Sequence, residues 1–276
     1  MKLGRKMFAY PYIVWMAIFI IVPMVLIGYY AFTVQENGAF TLENFLKGFS
    51  ASNMGVLFRS ILLALETTVI CLLFGYPVAY ILSRMKKSKA ALLSTLFILP
   101  MWMNFLLRTY AWQVILDDTG IINGMITALG GQPVQMLYTE GAVLLGNIYN
   151  FLPFMILPIY TVLIKIDKSH LEAATDLGAN GAVTFTKVVL PLSMPGVISG
   201  ITMVFVPAIT TFAISRLLGG GMTMLYGDLI ENQFTLVHEW GVGSALSFIL
   251  LILVIVSMVI MRRAESKSGE EGGAIW

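Results

Sequence analysis

The chain has one cysteine, Cys71, among 276 residues, so it has no disulfide framework, and its two histidines, His170 and His238, are isolated, which leaves no metal-type Cys/His spacing. Charge is also scarce. Asp, Glu, Lys and Arg make up 12% of the residues, where soluble proteins carry about 25%. No G-x-x-x-x-G-K-[ST] loop occurs, so the chain brings no nucleotide cradle of its own. No His/Asp/Cys cluster lies in or beside the apolar stretches to serve an enzyme. The net charge of +2 gives no reason to invoke nucleic acid. Together these absences argue against redox chemistry, a metal site and a membrane enzyme.

What is abundant is apolar length, with hydrophobic residues at 58% of the chain. Charge-free runs cover 7–35, 141–164, 188–215 and 240–261, and each reaches the ~20 residues a helix needs to cross hydrocarbon. Two further segments, 60–83 and 90–116, are interrupted only by Glu66 and by Arg108. This pattern predicts an all-α membrane protein with six transmembrane helices. The first run follows Lys2, Arg5 and Lys6, but it is longer than a signal-peptide core and lacks a small-residue cleavage site, so it reads as a retained first helix.

Basic residues set the orientation. Lys2, Arg5 and Lys6 precede the first helix; Arg84, Lys86, Lys87 and Lys89 follow the second; Lys165, Lys168 and Lys187 flank the segment after the fourth; Arg262, Arg263 and Lys267 follow the sixth. The alternate connections hold Glu36, Glu43, Asp117, Asp118, Glu140, Asp228, Glu231 and Glu239, with Lys47 and Arg59 as their main cations. The positive-inside rule therefore predicts cytoplasmic N- and C-termini, a cytoplasmic loop at 165–196 and a short cytoplasmic tail at 262–276.

The 165–196 loop contains the polar island SHLEAATDLGAN. Ser169 followed by Glu172 has capping-box spacing and predicts a helix start; Gly178, helped by Asn180 and Gly181, predicts a left-handed stop about two turns later. Leu171, Ala174 and Leu177 or Gly178 are expected on one face, with Glu172, Thr175 and Asp176 on others. A second short amphipathic stretch, 182–189, leads into Leu190, Pro191, Pro195 and Gly196, which predict a fixed corner where the chain re-enters the membrane. A solvated connector would share several of these features, but loops beyond ~12–15 residues usually have a role.

The run from Glu172-Ala173-Ala174 through Gly178 and Val188 to Leu190-Pro191 resembles the EAA signature of permease subunits of bacterial ABC importers. GYPVAY at 75–80, LPMWMNFLLRTYAW at 99–112, and LLGGG with GDLIENQF at 217–234 resemble the spermidine/putrescine branch of these permeases. The resemblance implies a type I ABC importer permease fold over residues 1–276, in the bacterial cytoplasmic (inner) membrane. It also implies partners: a second permease subunit, expected as a heterodimer, two cytoplasmic ATPase subunits that bind the ATP and Mg, and an extracytoplasmic substrate-binding protein. The chain itself would carry no cofactor and no catalytic residue, and would form half of a translocation pathway. Within the loop, Ser169, Leu171, Glu172, Ala173, Ala174, Asp176, Gly178 and Ala179 would form the coupling helix that docks on an ATPase, with Glu172 as polar anchor.

Pathway residues follow from polar groups inside apolar spans, which are costly in lipid and usually functional. Glu66 would meet a cationic substrate or would pair with Arg108 or Arg59. Arg108 and Tyr110, with Trp112, would line the path or form an interfacial belt with a snorkelling arginine. Asn104, Asn150, Thr210, Thr211 and Arg216 are further candidates, and Asn147 and Thr202 serve either a cavity or interhelical packing. Two alternatives stay open: an importer subunit for another small organic solute, or a self-sufficient secondary transporter. The latter would need inverted repeats or proton-relay carboxylates, and neither is evident.

Overall fold

The computed structural model describes residues 10–273, and these form helices joined by turns and by loops as long as 32–42 and 129–139. In chain order the helices are α1 (Tyr10–Ala31), α2 (Glu43–Gly48), α3 (Ala51–Arg84), α4 (Lys87–Trp102), α5 (Phe105–Leu116), α6 (Ile121–Ala128), α7 (Glu140–Leu163), α8 (Lys168–Asp176), α9 (Gly181–Thr210), α10 (Ala213–Gly219), α11 (Tyr226–Asn232) and α12 (Trp240–Gly273). Among the described residues α1, α3, α7, α9 and α12 are each long and apolar enough to cross a membrane, and α4 with the run Phe105–Ala128, bent by 91°, brings the number to six when the pair is counted as one broken span.

Four of the expected spans need correction. The third is not one rod: Met103 (ψ 150°) and Asn104 (ψ 126°) are extended, and the Asn104 side chain accepts from the Leu106 and Leu107 amides at 2.8 and 3.3 Å, capping a new helix. An Asn that captures two first-turn amides makes a helix start cheaper than helix continuation. The fifth span begins earlier and ends sooner than 188–215: α9 runs from Gly181 to Thr210, Thr211 is extended, and α10 is separate. The sixth continues past Met261 through Arg262 and Arg263 to Gly273, so the segment expected as a tail is helical that far. The first run, expected over 7–35, is helical only to Ala31, after which Thr33 bridges to Phe40; its residues 7–9 lie outside the described part.

No corner exists at Leu190, Pro191, Pro195 and Gly196, because the helix passes straight through them. The reason is visible one turn earlier. Residues 185–189 form a π turn in which the Leu190 amide donates to the Phe185 carbonyl five residues back, and Pro191, which has no amide to place, follows at once. α1 uses the same device, with the Val22 amide reaching Ala17 just before Pro23. Widening one turn removes the clash a proline ring makes with the carbonyl four residues back.

Contacts group the residues into two units. The first unit comprises Met1–Leu57 and Leu229–Leu253. In it Phe32 packs on Phe45 and Phe248 with ring centroids 4.8 and 5.9 Å apart. Asn44 Nδ2 reaches the carbonyls of Tyr30, Ala31 and Thr33 at 3.0–3.2 Å, satisfying acceptors that the end of α1 leaves open.

The second unit, Phe58–Asp228 with Val254–Trp276, contains the main core. Here α9 lies along α7, and the close approach comes from Gly196 and Gly200: a Cβ on Gly196 would stand 2.9 Å from the Pro158 carbonyl and 3.1 Å from Ile159 Cα. Small residues four apart let helix backbones touch in this way. Met155, Ile156 and Ile159 of α7 are fully buried beside Cys71 and Val204. Tyr76 and Ser193 share a 2.8 Å hydroxyl contact, and the Phe185 ring meets Tyr76 and Tyr80 edge-on. A second cluster joins Leu63, Val143, Ile214, Leu218 and Leu225.

Candidate functional site

Helix α8 is held at both ends by side-chain and backbone hydrogen bonds. Its N-cap is Asp167, whose carboxylate accepts from the Ser169 amide at 3.0 Å. That bond to the backbone amide is the main cause of the lowered Asp167 pKa. The expected Ser169–Glu172 capping box is therefore corrected. Ser169 is already the second helical residue, and its hydroxyl lies 3.3 Å from His170 Nδ1. Asp and Ser both cap well, and the carboxylate two residues upstream takes the position because a charged acceptor bonds an amide more strongly than a hydroxyl does.

At the other end Gly178 has φ +81°, the Gly178 amide donates to Thr175 at 2.9 Å and the Ala179 amide to Ala174 at 3.0 Å. These paired bonds are a Schellman stop, and it needs the left-handed residue that glycine supplies without strain. Asn180 does not extend this stop; its side chain accepts from the Val183 amide at 3.0 Å and caps α9.

The exposures of α8 divide it into two sides. Leu171 packs inward on the core, and Ala174 is half-buried. Glu172, Ala173, Asp176 and Gly178 are exposed, Ala179 is half-buried, and Leu177 is 89% exposed. Leu177 is thus not on the Leu171 face. Six residues on a 3.6-residue helix carry it well around the axis.

The other candidates scatter. Glu66 is exposed on α3 and, among the described residues, makes no ion pair. Arg59 does not pair with it but with Glu140, Nε to Oε1 and Nη2 to Oε2 both at 3.1 Å. The Arg108 guanidinium lies over the Tyr149 ring, 5.9 Å from the centroid, and Trp112 meets the same ring edge-on. Tyr110 is 51% exposed. Asn104 acts as the helix cap described above.

Asn150 is enclosed within the chain instead of facing an open surface. It is 3% exposed, and its amide donates to the Gly146 carbonyl at 2.8 Å. Asn147, fully buried beside it on α7, has no partner among the described residues for either amide atom. Thr210 bonds back to the Val206 carbonyl at 3.1 Å, Thr211 occupies the break after α9, and Arg216 is exposed on α10. No group of three or more His, Cys, Asp and Glu side chains comes together among the described residues.

Residue-type reasoning missed the Arg59–Glu140 pair, Tyr149 under Arg108, and Asp167. The first had a readable signal, since the two charges stand at the same ends of parallel spans; the second had none, because it depends on the α4–α5 break.

Residues 72–268 match the family model described as "Binding-protein-dependent transport system inner membrane component". The chain is 38% identical over 257 residues to the spermidine/putrescine transport system permease protein PotB of Haemophilus influenzae, covering 91% of this chain and 90% of that protein. It is 35% identical to the protein of the same name from Escherichia coli K12, covering 91% and 94%. Among solved structures, a bacterial alginate ABC transporter in complex with alginate pentasaccharide-bound periplasmic protein superposes with a TM-score of 0.75 at 18% identity, over 98% of this chain and 97% of that one. That likeness concerns the fold.

Proposed function

Because the chain belongs to the family of binding-protein-dependent transport system inner membrane components, we propose that it is the non-catalytic membrane subunit of an ATP-driven importer of polyamines such as spermidine and putrescine. It would form half of the pathway with a second permease subunit, receive substrate from an extracytoplasmic binding protein, and be moved by two cytoplasmic ATPases that hold the ATP and Mg. The substrate class is supported by relatives whose names specify spermidine and putrescine. The orientation, with both termini and α8 on the cytoplasmic side, is supported by the Lys and Arg bias.

The observation that carries the coupling role is α8 itself: a helix capped by Asp167, stopped at Gly178, anchored by Leu171 and bare at Glu172, Ala173 and Leu177. A short rigid helix with an apolar tip suits a groove on a partner, and motion of the partner would pass through its two tight ends into α7 and α9. A pathway role for Glu66 is supported by its exposure, since a carboxylate facing lipid is costly and one facing water or a polycation is not.

The test is co-purification of the ATPase with Leu177→Asp and Glu172→Ala, beside spermidine-stimulated ATP hydrolysis by the complete complex in proteoliposomes. Loss of the ATPase with normal membrane insertion supports docking at α8. Uptake driven by a proton gradient with no ATPase present would refute the importer reading, and stimulation by a different solute would refute the substrate alone.

A further inference from the structure

Four cations surround one cavity of the second unit without a counter-charge. The cavity encloses about 830 Å³ where the end of α3, the start of α4, the end of α7 and the start of α8 meet, and Arg84, Lys86, Lys87 and Lys168 line it. Among the described residues none of the four is in an ion pair, and no Asp or Glu lines the space. Arg84 is held in place by Tyr80, whose ring centroid is 5.1 Å from the guanidinium carbon and whose hydroxyl accepts at 3.2 Å.

The start of α4 adds to this excess. Its first-turn amides have no partner within the helix; Lys86 supplies no side-chain cap, and the first turn holds no acid. Lys86, Lys87 and Lys89 instead crowd the positive end of the helix dipole, an arrangement that is unfavourable when empty and favourable when an anion rests against the helix start.

The floor of the cavity is apolar, with Leu163 and Leu171 beside Ile164, which is 52% exposed. Cations above a largely apolar floor in which Ile164 stands exposed, at the ends of two membrane-crossing helices, match a ligand whose phosphate is attached to hydrocarbon. We infer that this cavity binds the phosphate-bearing headgroup of an anionic phospholipid in the cytoplasmic leaflet. The inference rests on the orientation given under Proposed function. Docking of an ATPase on the Leu177 side of α8 leaves the site free, because Leu171, not Leu177, lines the cavity.

The experiment uses the assembled transporter in phosphatidylcholine nanodiscs with and without cardiolipin, and native mass spectrometry reads the lipid retained. The wild type is expected to keep cardiolipin, and the triple variant Arg84→Gln, Lys86→Gln, Lys87→Gln to bind it on the order of 100-fold more weakly. Millimolar inorganic phosphate is expected to leave it bound. Equal retention by both proteins overturns the site. Displacement by phosphate overturns the lipid as its occupant, and a variant that keeps lipid but sheds its ATPase shows a protein-docking surface instead.

Labelling of Lys86→Cys by a membrane-impermeant maleimide separates the two readings. Labelling of intact right-side-out vesicles would sink the orientation; labelling only after permeabilisation, with no retained lipid, would sink the lipid site alone.

Discussion

Replacing Gly196 with valine tests the straight passage of α9 along α7. In the structure the first atom added would stand 2.9 Å from the Pro158 carbonyl, 3.0 Å from Val162 Cγ2 and 3.1 Å from Ile159 Cα. Two of these neighbours are backbone, so they yield only if the helices separate. Overpacking of this kind costs ~1–3 kcal/mol, and the helix-propensity gain of valine over glycine offsets only ~0.4 kcal/mol. The expected net loss is therefore ~0.6–2.6 kcal/mol. At ~2–4 °C per kcal/mol for a chain of this size the melting temperature should fall by several degrees.

Gly55→Ala is the control. Gly55 lies within α3 and a Cβ there meets nothing within 4 Å, so alanine should stabilise by ~0.5–1 kcal/mol. Gly200→Ala should fall between them, since the atom nearest its added Cβ is the mobile Met155 Sδ at 2.8 Å. Thermal unfolding in detergent, followed by size-exclusion fluorescence, measures all three. If Gly196→Val melted within the ~0.5 kcal/mol scatter of surface substitutions, the residue would occupy an open corner and the packing argument would fail.

Asp167→Ala should fray the start of α8 and speed amide exchange at Ser169, whereas Ser169→Ala should leave it unchanged; the reverse pattern would restore the serine cap. The Asp167 pKa is lowered by folding, so its contribution is present above the unfolded carboxylate pKa and disappears as pH falls through the folded one. The protection of the Ser169 amide, measured against its intrinsic exchange rate at each pH, should fall in that acidic window and not near neutrality. Glu140→Gln should cost no more than ~1 kcal/mol despite its two-pronged bond to Arg59, since both side chains are nearly half exposed and solvent screens the pair; a larger loss in melting would mean the pair is shielded in the assembly. Asn147→Leu should raise stability by ~1–3 kcal/mol, because it removes a fully buried amide with no partner among the described residues. A fall in stability would reveal a partner for that amide in the assembled protein.

The crossings were legible because hydrocarbon imposes a length and excludes charge, and both are one-dimensional properties of a chain. The ends of α7 came within one residue of expectation, since Glu140 and Lys165 bound a clean apolar run. The short helix at 168–176 was legible for a similar reason: Gly178 can take a φ of +81° where other residues are strained. The unbroken third span and the corner at Leu190 to Gly196 were misread because the outcome at each depends on competition. An asparagine caps or continues a helix according to what the next turn can pack against, and prolines bend a chain unless an adjoining π turn absorbs them.

The apolar runs long enough to cross a membrane, and the resemblance carried by residues 172–191, were properties of the sequence alone. Which acid holds Arg59, which ring lies under Arg108, which leucine of α8 faces inward, and where four cations gather around a common space were decided only by the tertiary structure. Each of these is a distance between residues far apart in the chain, and no local rule of spacing or hydropathy contains it.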